Sequence, residues 1–247
     1  MDFSYKSYAD LIKLLIERGY KESSYDNYLS SKKSYIIRHD VDYSLEKAVD
    51  FAGFENNNNI KSTYFVMLTN DFYNVFSLKG NKNINIIMQY GHEIALHFDE
   101  CAYPNIIGKP EMIKDKIIEE IDILSSITGT LIKKVSMHRP SKEIIEANLE
   151  LPGIINTYSK EFFTKLKYLS DSRMRWREPI EEIIMSGKEN RFQILIHPFW
   201  YSENYNSIED IVRRFVNSGN KQRYEALNDN ISNLSEIMSI EDVEGII

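Results

Sequence analysis

The stretch "RHDVD", residues 38–42, closes an apolar run with an arginine, a histidine and two aspartates. In an extended strand alternate residues share a face, so Arg38, Asp40 and Asp42 point one way and His39 and Val41 the other. Two carboxylates leaving a strand together can divide labour. One can hold a divalent metal while the other takes a proton from the water that the metal activates. The five histidines fall in "RHDVD", "GHEIALH", "MHRPS" and "ILIHPFW", as His39, His92, His97, His138 and His197. Each segment ends a strand-like run. A single histidine there is commonly a hydrogen-bonded cap on a core; five of them, beside two aspartates and an arginine, point to a site assembled from distant parts of the chain. His92 and His97 lie five apart, on opposite faces of a strand. His97, at the strand's end, is the candidate ligand, and His92 is read as structural. Beyond Phe98 a helical turn would bring Cys101 to the side of His97, whereas an extended chain would bring Asp99 there. Cysteine, histidine and aspartate are all acceptable zinc ligands.

The elements that must position these residues alternate along the sequence. Strand-like runs rich in β-branched and aromatic residues occur at "SYIIRHDV", "KSTYFVML", "HEIALHF", "LIKKVSM", "GIINTY", "LKYLSD" and "RFQILIH". Helical patterns lie at "YADLIKLLIERG", at "SLEKAVDFAGFENNN" with Ser44 as cap and Glu46 and Glu55 on its flanks, and at "PEMIKDKIIEEIDILSSITG" between Pro110 and Gly129. Strands alternating with helices mean a mainly parallel sheet. About seven strands in a chain of 247 residues suit an α/β fold of the distorted or incomplete (β/α) barrel kind, with extra terminal helices. In such barrels the carboxyl ends of the strands hold the chemistry. The expected organisation is one domain over residues 1–247, with the motifs between about 35 and 201. "ENNNN" reads as a surface loop, and the tail from "NSIEDIVRRFVNSGN" onward as two helices.

Composition narrows the function. A net charge of −7 argues against a nucleic-acid partner, because phosphate-backbone binding needs clustered Lys and Arg. The amino-terminal "MDFSYKSYADLIKLLIERGY" shows no cationic segment leading into an apolar stretch of signal length, and no apolar run has the length of a membrane span. The expected location is cytoplasmic. With one cysteine, Cys101, no intramolecular disulfide can form. No glycine-rich phosphate cradle is visible.

These motifs carry a resemblance. "IIRHDVD", "STYFVM", "GHEIALH", "HRPS" and "ILIHPFWY" resemble, in order, segments of the polysaccharide deacetylase family, the NodB-homology or carbohydrate esterase family 4 fold. Its members are distorted (β/α) barrels that hydrolyse acetyl groups from sugars with a divalent metal. The resemblance implies Asp40 as general base, Asp42 and His97 as metal ligands, Arg139 as the arginine that orients the base, and His197 as general acid. It places no catalytic group on "STYFVM". "SDSRMRW" resembles a further motif, in which a carboxylate, here Asp171, braces the arginine and an aromatic, here Trp176, lines the pocket. Two departures stand out. Cys101 occupies the position of the family's second metal histidine, so that the third ligand is Cys101, Asp99, Glu100 or a histidine from another strand such as His138. Val41 separates two aspartates that are adjacent in the best-known members. A saccharide would meet Trp200, Trp176 and His138, with Phe199 and Tyr201 nearby.

The function implied is removal of an acetyl or similar acyl group from an amino sugar, with Zn²⁺ as the expected metal. In a cytoplasmic protein the acylated partner would be a nucleotide sugar, a lipid-linked saccharide precursor or a small amide, which suggests a step in surface-polysaccharide biosynthesis. Two other readings stand beside it. One is a catalytically silent barrel that binds a saccharide or a biosynthetic partner; the other is a hydrolase of a formyl or cyclic ureide substrate, since fold does not fix substrate.

Overall fold

The structure, a computed structural model, describes residues 1–243. It divides into two compact units, Met1–Glu203 and the segment from Asn204 onward. The first unit runs α1 (Tyr5–Glu17), β1 (Lys21–Glu22), β2 (Ser34–Val41), α2 (Leu45–Asn57), β3 (Thr63–Val66), α3 (Leu78–Gln89) and β4 (Glu93–Asp99). It continues through α4 (Pro110–Thr128), β5 (Lys134–His138), α5 (Lys142–Ala147), β6 (Ile155–Asn156), α6 (Lys160–Thr164), β7 (Lys167–Ser170), α7 (Ile180–Ser186) and β8 (Arg191–Ile196).

Local chemistry sets the ends of these elements. The Ser44 hydroxyl accepts from the Lys47 N–H at 3.2 Å and so caps α2. Pro110 opens α4, and Gly129 ends it with a left-handed φ of 65° that a side chain would resist. Along α1, Tyr8, Leu11, Ile12 and Leu15 are buried at helical spacing.

Every strand pairing is parallel, and the order is β6-β5-β4-β3-β2-β8-β7, with the two-residue β1 beside β2. The seven strands on that path form a curled, incomplete (β/α) barrel. Its edges are β6 and β7, which are consecutive in the sequence, so the barrel stays open between them. Alternation divides the core. Tyr64, Val66, Leu96, Phe98, Val135 and Met137 pack with residues of α2, α3 and α4 such as Ala48, Ala52, Ile87, Ile117 and Leu124. Ile36, Phe65 and Ala95 face the barrel interior with Tyr25, Tyr28, Phe162 and Leu166.

The strand β2 has all eight residues buried, and its two faces meet different needs. On the outer face, His39 Nε2 lies 2.9 Å from Glu55 Oε1. Glu55 also accepts from the hydroxyls of Tyr8 at 2.5 Å, Ser62 at 2.7 Å and Tyr64 at 2.8 Å, and His92 Nδ1 is 3.0 Å from Ser62 Oγ. The carboxyl of Glu55 is pushed up by burial, but the His39 charge and these donors outweigh that and leave it below its ordinary value. Glu55 therefore ties α1, α2, β2 and β3 through one buried carboxylate.

Two expectations are corrected here, and one short element was missed. "ENNNN" is not a surface loop throughout: Glu55 is helical and fully buried, because the hydroxyls and imidazole above converge on it. The strand pair Lys21–Glu22 with β2 was not foreseen, being too short to show a period. In the second unit the tail holds one long helix, α8 (Ile208–Asn230), then short 3₁₀ turns at Leu234–Glu236 and Ile240–Asp242. Ser239 and Asp242 form a capping box that closes a single turn where a second helix was expected. Among the described residues no helix is long and apolar enough to cross a membrane.

Removing the Glu55 carboxylate strands two tyrosine hydroxyls, a serine and a histidine in the core. Glu55→Ala is expected to cost about 3–5 kcal/mol of folding free energy and Glu55→Gln less, as measured by urea denaturation.

Candidate functional site

The inner face of β2 continues upward from Ile36 to Arg38, Asp40 and Asp42. Arg38 is fully buried, and it grips Asp40 with two parallel bonds, Nε to Oδ1 at 3.0 Å and Nη2 to Oδ2 at 2.6 Å. Its remaining Nη1 donates to Thr157 Oγ1 at 3.0 Å, and its guanidinium lies 5.3 Å and 5.1 Å from the ring centroids of Phe65 and Tyr158. Burial alone would raise the Asp40 carboxyl, but the Arg38 charge, helped by His97, holds it below its ordinary value. Asp40 is thus a buried carboxylate kept ionised.

Parallel pairing brings the ends of β4 and β5 alongside, with His97 opposite Ser136 and Asp99 opposite His138. Asp42 Oδ1 then lies 3.2 Å from His97 Nε2 and 3.5 Å from His138 Nδ1, and the two imidazole nitrogens are 3.2 Å apart. His97 Nδ1 is 2.6 Å from Ser136 Oγ, an arrangement that leaves Nε2 free to present its lone pair. Asp42 Oδ1 is buried without a well-formed hydrogen bond. One carboxylate and two imidazoles turned on each other at such separations fit a cation, which can reach all three at bond lengths of about 2.0–2.2 Å. Among the described residues these are the three that could hold a metal ion together. Burial raises the Asp42 carboxyl, yet the adjoining imidazoles of His138 and His97 and the charge of His197 carry it well below the ordinary range.

His197, just past β8, sits on the opposite side of Asp42, its Nε2 3.7 Å from Asp42 Oδ2. Its Nδ1 is 2.6 Å from Asp171 Oδ1, and its backbone N–H points at both oxygens of that carboxylate at 3.1 Å. Burial opposes the charged imidazole, but Asp171 prevails, and the group is raised from 6.5 to about 9. A cavity of about 420 Å³ opens over Asp40, Asp42, His97, His138 and His197, with Trp200, Tyr158 and Tyr43 on its wall.

Several residues stand where the sequence did not put them. Cys101 is exposed, on a 3₁₀ turn (Glu100–Ala102), and lies outside the Asp42–His97–His138 cluster. The reason is local: β4 stays extended through Asp99, so the helical turn that would align Cys101 with His97 does not form. Asp99 itself accepts from the Cys101 N–H at 3.0 Å and from Arg139 at 3.2 Å. Glu100 is buried and accepts from the Ser141 backbone and hydroxyl and from the Gly108 N–H, which fixes the "HRPS" turn. In that turn Arg139 adopts a left-handed φ of 48°, its side chain is 70% exposed, and it pairs with Asp99. The residue that holds Asp40 is Arg38. Asp171 braces His197 and not an arginine. Trp176 is half-buried and is not on the cavity wall, whereas Trp200 is buried there with its Nε1–H unpartnered. His39 and His92 belong to the Glu55 network, so three of the five histidines reach the cavity. Ser136, Thr157 and Tyr158 were missed. Ser136 was within reach, since it lies two residues before His138 and period two sets both on one face.

The Arg38–Asp40 pair gives a test. Arg38→Leu leaves a buried carboxylate without its partner and is expected to cost about 3–5 kcal/mol in urea denaturation. Arg139→Leu, which removes only an exposed pair, should cost under about 1 kcal/mol.

No protein-family model matches the chain, and no curated protein does. Solved structures do. A carbohydrate esterase family 4 pseudoenzyme from Bacillus anthracis is similar at 10% identity and a TM-score of 0.44, over 76% of this chain and 62% of that one. The chain therefore spans less than two thirds of that protein. A family 4 acetyl xylan esterase from Clostridium thermocellum, in complex with cobalt, is similar at 16% identity and a TM-score of 0.42, over 66% of this chain and 73% of that one. An esterase of the same family from Streptococcus mutans is similar at 16% identity and a TM-score of 0.47, over 72% and 78%. Each of these three solved structures is a family 4 carbohydrate esterase or a pseudoenzyme of that family.

Proposed function

We propose that the chain is a metal-dependent hydrolase that removes an acetyl or similar acyl group from an amino-sugar substrate. The observation that carries this reading is the Asp42–His97–His138 cluster, flanked by an ionised carboxylate on one side and a protonated imidazole on the other.

Asp42, His97 and His138 would hold a divalent ion, with Zn²⁺ the best chemical match to one carboxylate and two imidazoles. Such an ion supplies a water of lowered pKa and a positive charge for the developing oxyanion. Asp40 Oδ2 lies 3.7 Å from His97 Nε2 and the carboxylate is held in place by both Arg38 bonds, so it would take a proton from water at the site as general base. His197, held by Asp171, delivers a proton to the departing sugar nitrogen. Ser136 bonds His97 and approaches Asp40 at 3.5 Å, which fixes ligand and base relative to each other. Trp200 and Tyr158 offer apolar surface to a sugar ring. Acting on an acylated saccharide precursor inside the cell remains part of this proposal, as does a role in surface-polysaccharide assembly.

Elemental analysis of protein purified without chelator tests the centre. Near one ion per chain is expected in wild type and in Cys101→Ser, with retention lost in His138→Ala and in Asp42→Ala. Loss in Cys101→Ser with retention in His138→Ala would sink the assigned ligand set. Protein that takes up no zinc, cobalt or nickel would be the silent, saccharide-binding barrel. Asp40→Asn is expected to keep the ion while hydrolysis of acylated amino sugars falls about 10²–10⁴-fold.

The pH profile follows from His197. Its acid form is needed for turnover, so activity falls as pH rises toward the value of about 9. The charge of a bound ion opposes that of Asp42 and leaves Asp171 as the main support of the imidazolium. Asp171→Asn should therefore move the alkaline limb to lower pH. The same raised value means that the Asp171–His197 pair stabilises the fold fully below pH 6.5 and less as pH climbs toward 9.

A further inference from the structure

We infer that the acyl substrate of this site carries a phosphoryl group beside its sugar ring, held by Arg173 and Arg177. The inference rests on the hydrolase reading above and names its substrate class.

The cavity has three arginines on its wall, Arg139, Arg173 and Arg177, in a chain whose net charge is −7. Apart from Asp42, which is assigned to the proposed ion, the other charged side chains at the site are paired. Arg38 neutralises Asp40, Asp171 neutralises His197, and Arg139 is paired with Asp99 at 3.2 Å. Arg173 and Arg177 have no ion-pair partner among the described residues. Two unneutralised guanidiniums at the mouth of one small cavity match the double negative charge of a phosphate monoester, whose oxygens also suit their planar donor forks. A neutral saccharide leaves both unused.

The loop that carries them is built, not loose. It leaves Asp171, the carboxylate that braces His197, and folds back on itself: the Arg175 N–H donates to Asp171 O at 3.1 Å and the Arg177 N–H to Ser170 O at 3.4 Å. Arg173 and Met174 are both left-handed, with φ of 59° and 55°, a turn that sets Arg173 and Arg177 on the cavity wall and leaves Arg175 off it. The turn that carries the two arginines is therefore tied to the main chain of Ser170 and Asp171, and the Asp171 side chain holds the proton donor.

The test compares N-acetylglucosamine, its 1-phosphate and N-acetylated uronic acid on the metal-loaded protein, by calorimetric binding and by acetate release. Arg173→Gln/Arg177→Gln is measured alongside, with circular dichroism to confirm its fold. The 1-phosphate is expected to bind at least about 10-fold more tightly than the neutral sugar at low salt, and the advantage should shrink as ionic strength rises. In the double variant its KM should rise and the advantage disappear. Equal kcat/KM for the neutral and phosphorylated sugars overturns the inference and leaves the hydrolase reading intact. An advantage that survives the double substitution also overturns it, because the phosphate would then be bound at the metal alone. Preference for the uronic acid replaces phosphoryl by carboxylate and overturns the assignment. Tight, arginine-dependent binding of the 1-phosphate without hydrolysis of any sugar supports the anion site and overturns the hydrolase reading.

Discussion

A strand with no exposed residue carries a guanidinium, an imidazole and a carboxylate in successive positions, and each of these polar groups must be met inside the protein. Leaving any one of them unpaired in such surroundings would cost several kcal/mol. The pleat of β2 separates the problem into two parts. Outward, His39 meets Glu55, and the carboxylate draws in Tyr8, Tyr64 and Ser62. Inward, Arg38 meets Asp40, with Thr157 and two aromatic rings completing the guanidinium's surroundings. The outer network fixes helices to the sheet; the inner one builds the floor of the cavity. Because both hang from one backbone, the position of Asp40 is set by the packing of α1 and α2 as well as by its own partner.

The chemistry is arranged as layers above that floor. Asp42 is one pleat further along the same face, and the parallel register of β4 with β5 brings two imidazoles against it. From the other direction β8 ends at His197, and β7 ends at the carboxylate that grips it. Asp40, His97 and His197 are thus each held by a second group, Arg38, Ser136 and Asp171 respectively. That is the condition under which a carboxylate stays a base and an imidazole stays an acid within a few ångströms of one another.

Much of this was legible in the chain, for reasons that can be traced. The strands were visible because their β-branched runs are bounded by helix caps such as Ser44 and Gly129, and the face shared by Arg38, Asp40 and Asp42 follows from period two alone. The pairing of Arg38 with Asp40 was equally within reach, since residues two apart on a strand lie side by side; the motif resemblance directed attention to Arg139 instead. What could not be read is register. Whether His138 or Cys101 stands beside His97 depends on how far β4 stays extended and on its alignment with β5, neither of which leaves a local trace. Glu55 was misread for a similar reason. A glutamate in "ENNNN" has every compositional sign of solvent exposure, and only the hydroxyls arriving from α1 and β3 reverse it.

The open side of the barrel has a consequence for the solution behaviour of the chain. A closed barrel has no free edge, whereas this sheet ends on β6, two residues long, and β7, four residues long. An unpaired edge is a template on which another chain can add a strand, and its danger grows with the length of backbone it offers. Edges this short present few donors and acceptors in succession, too few for an added strand to gain a stable ladder. The fold can therefore leave a gap in its wall without becoming sticky along it.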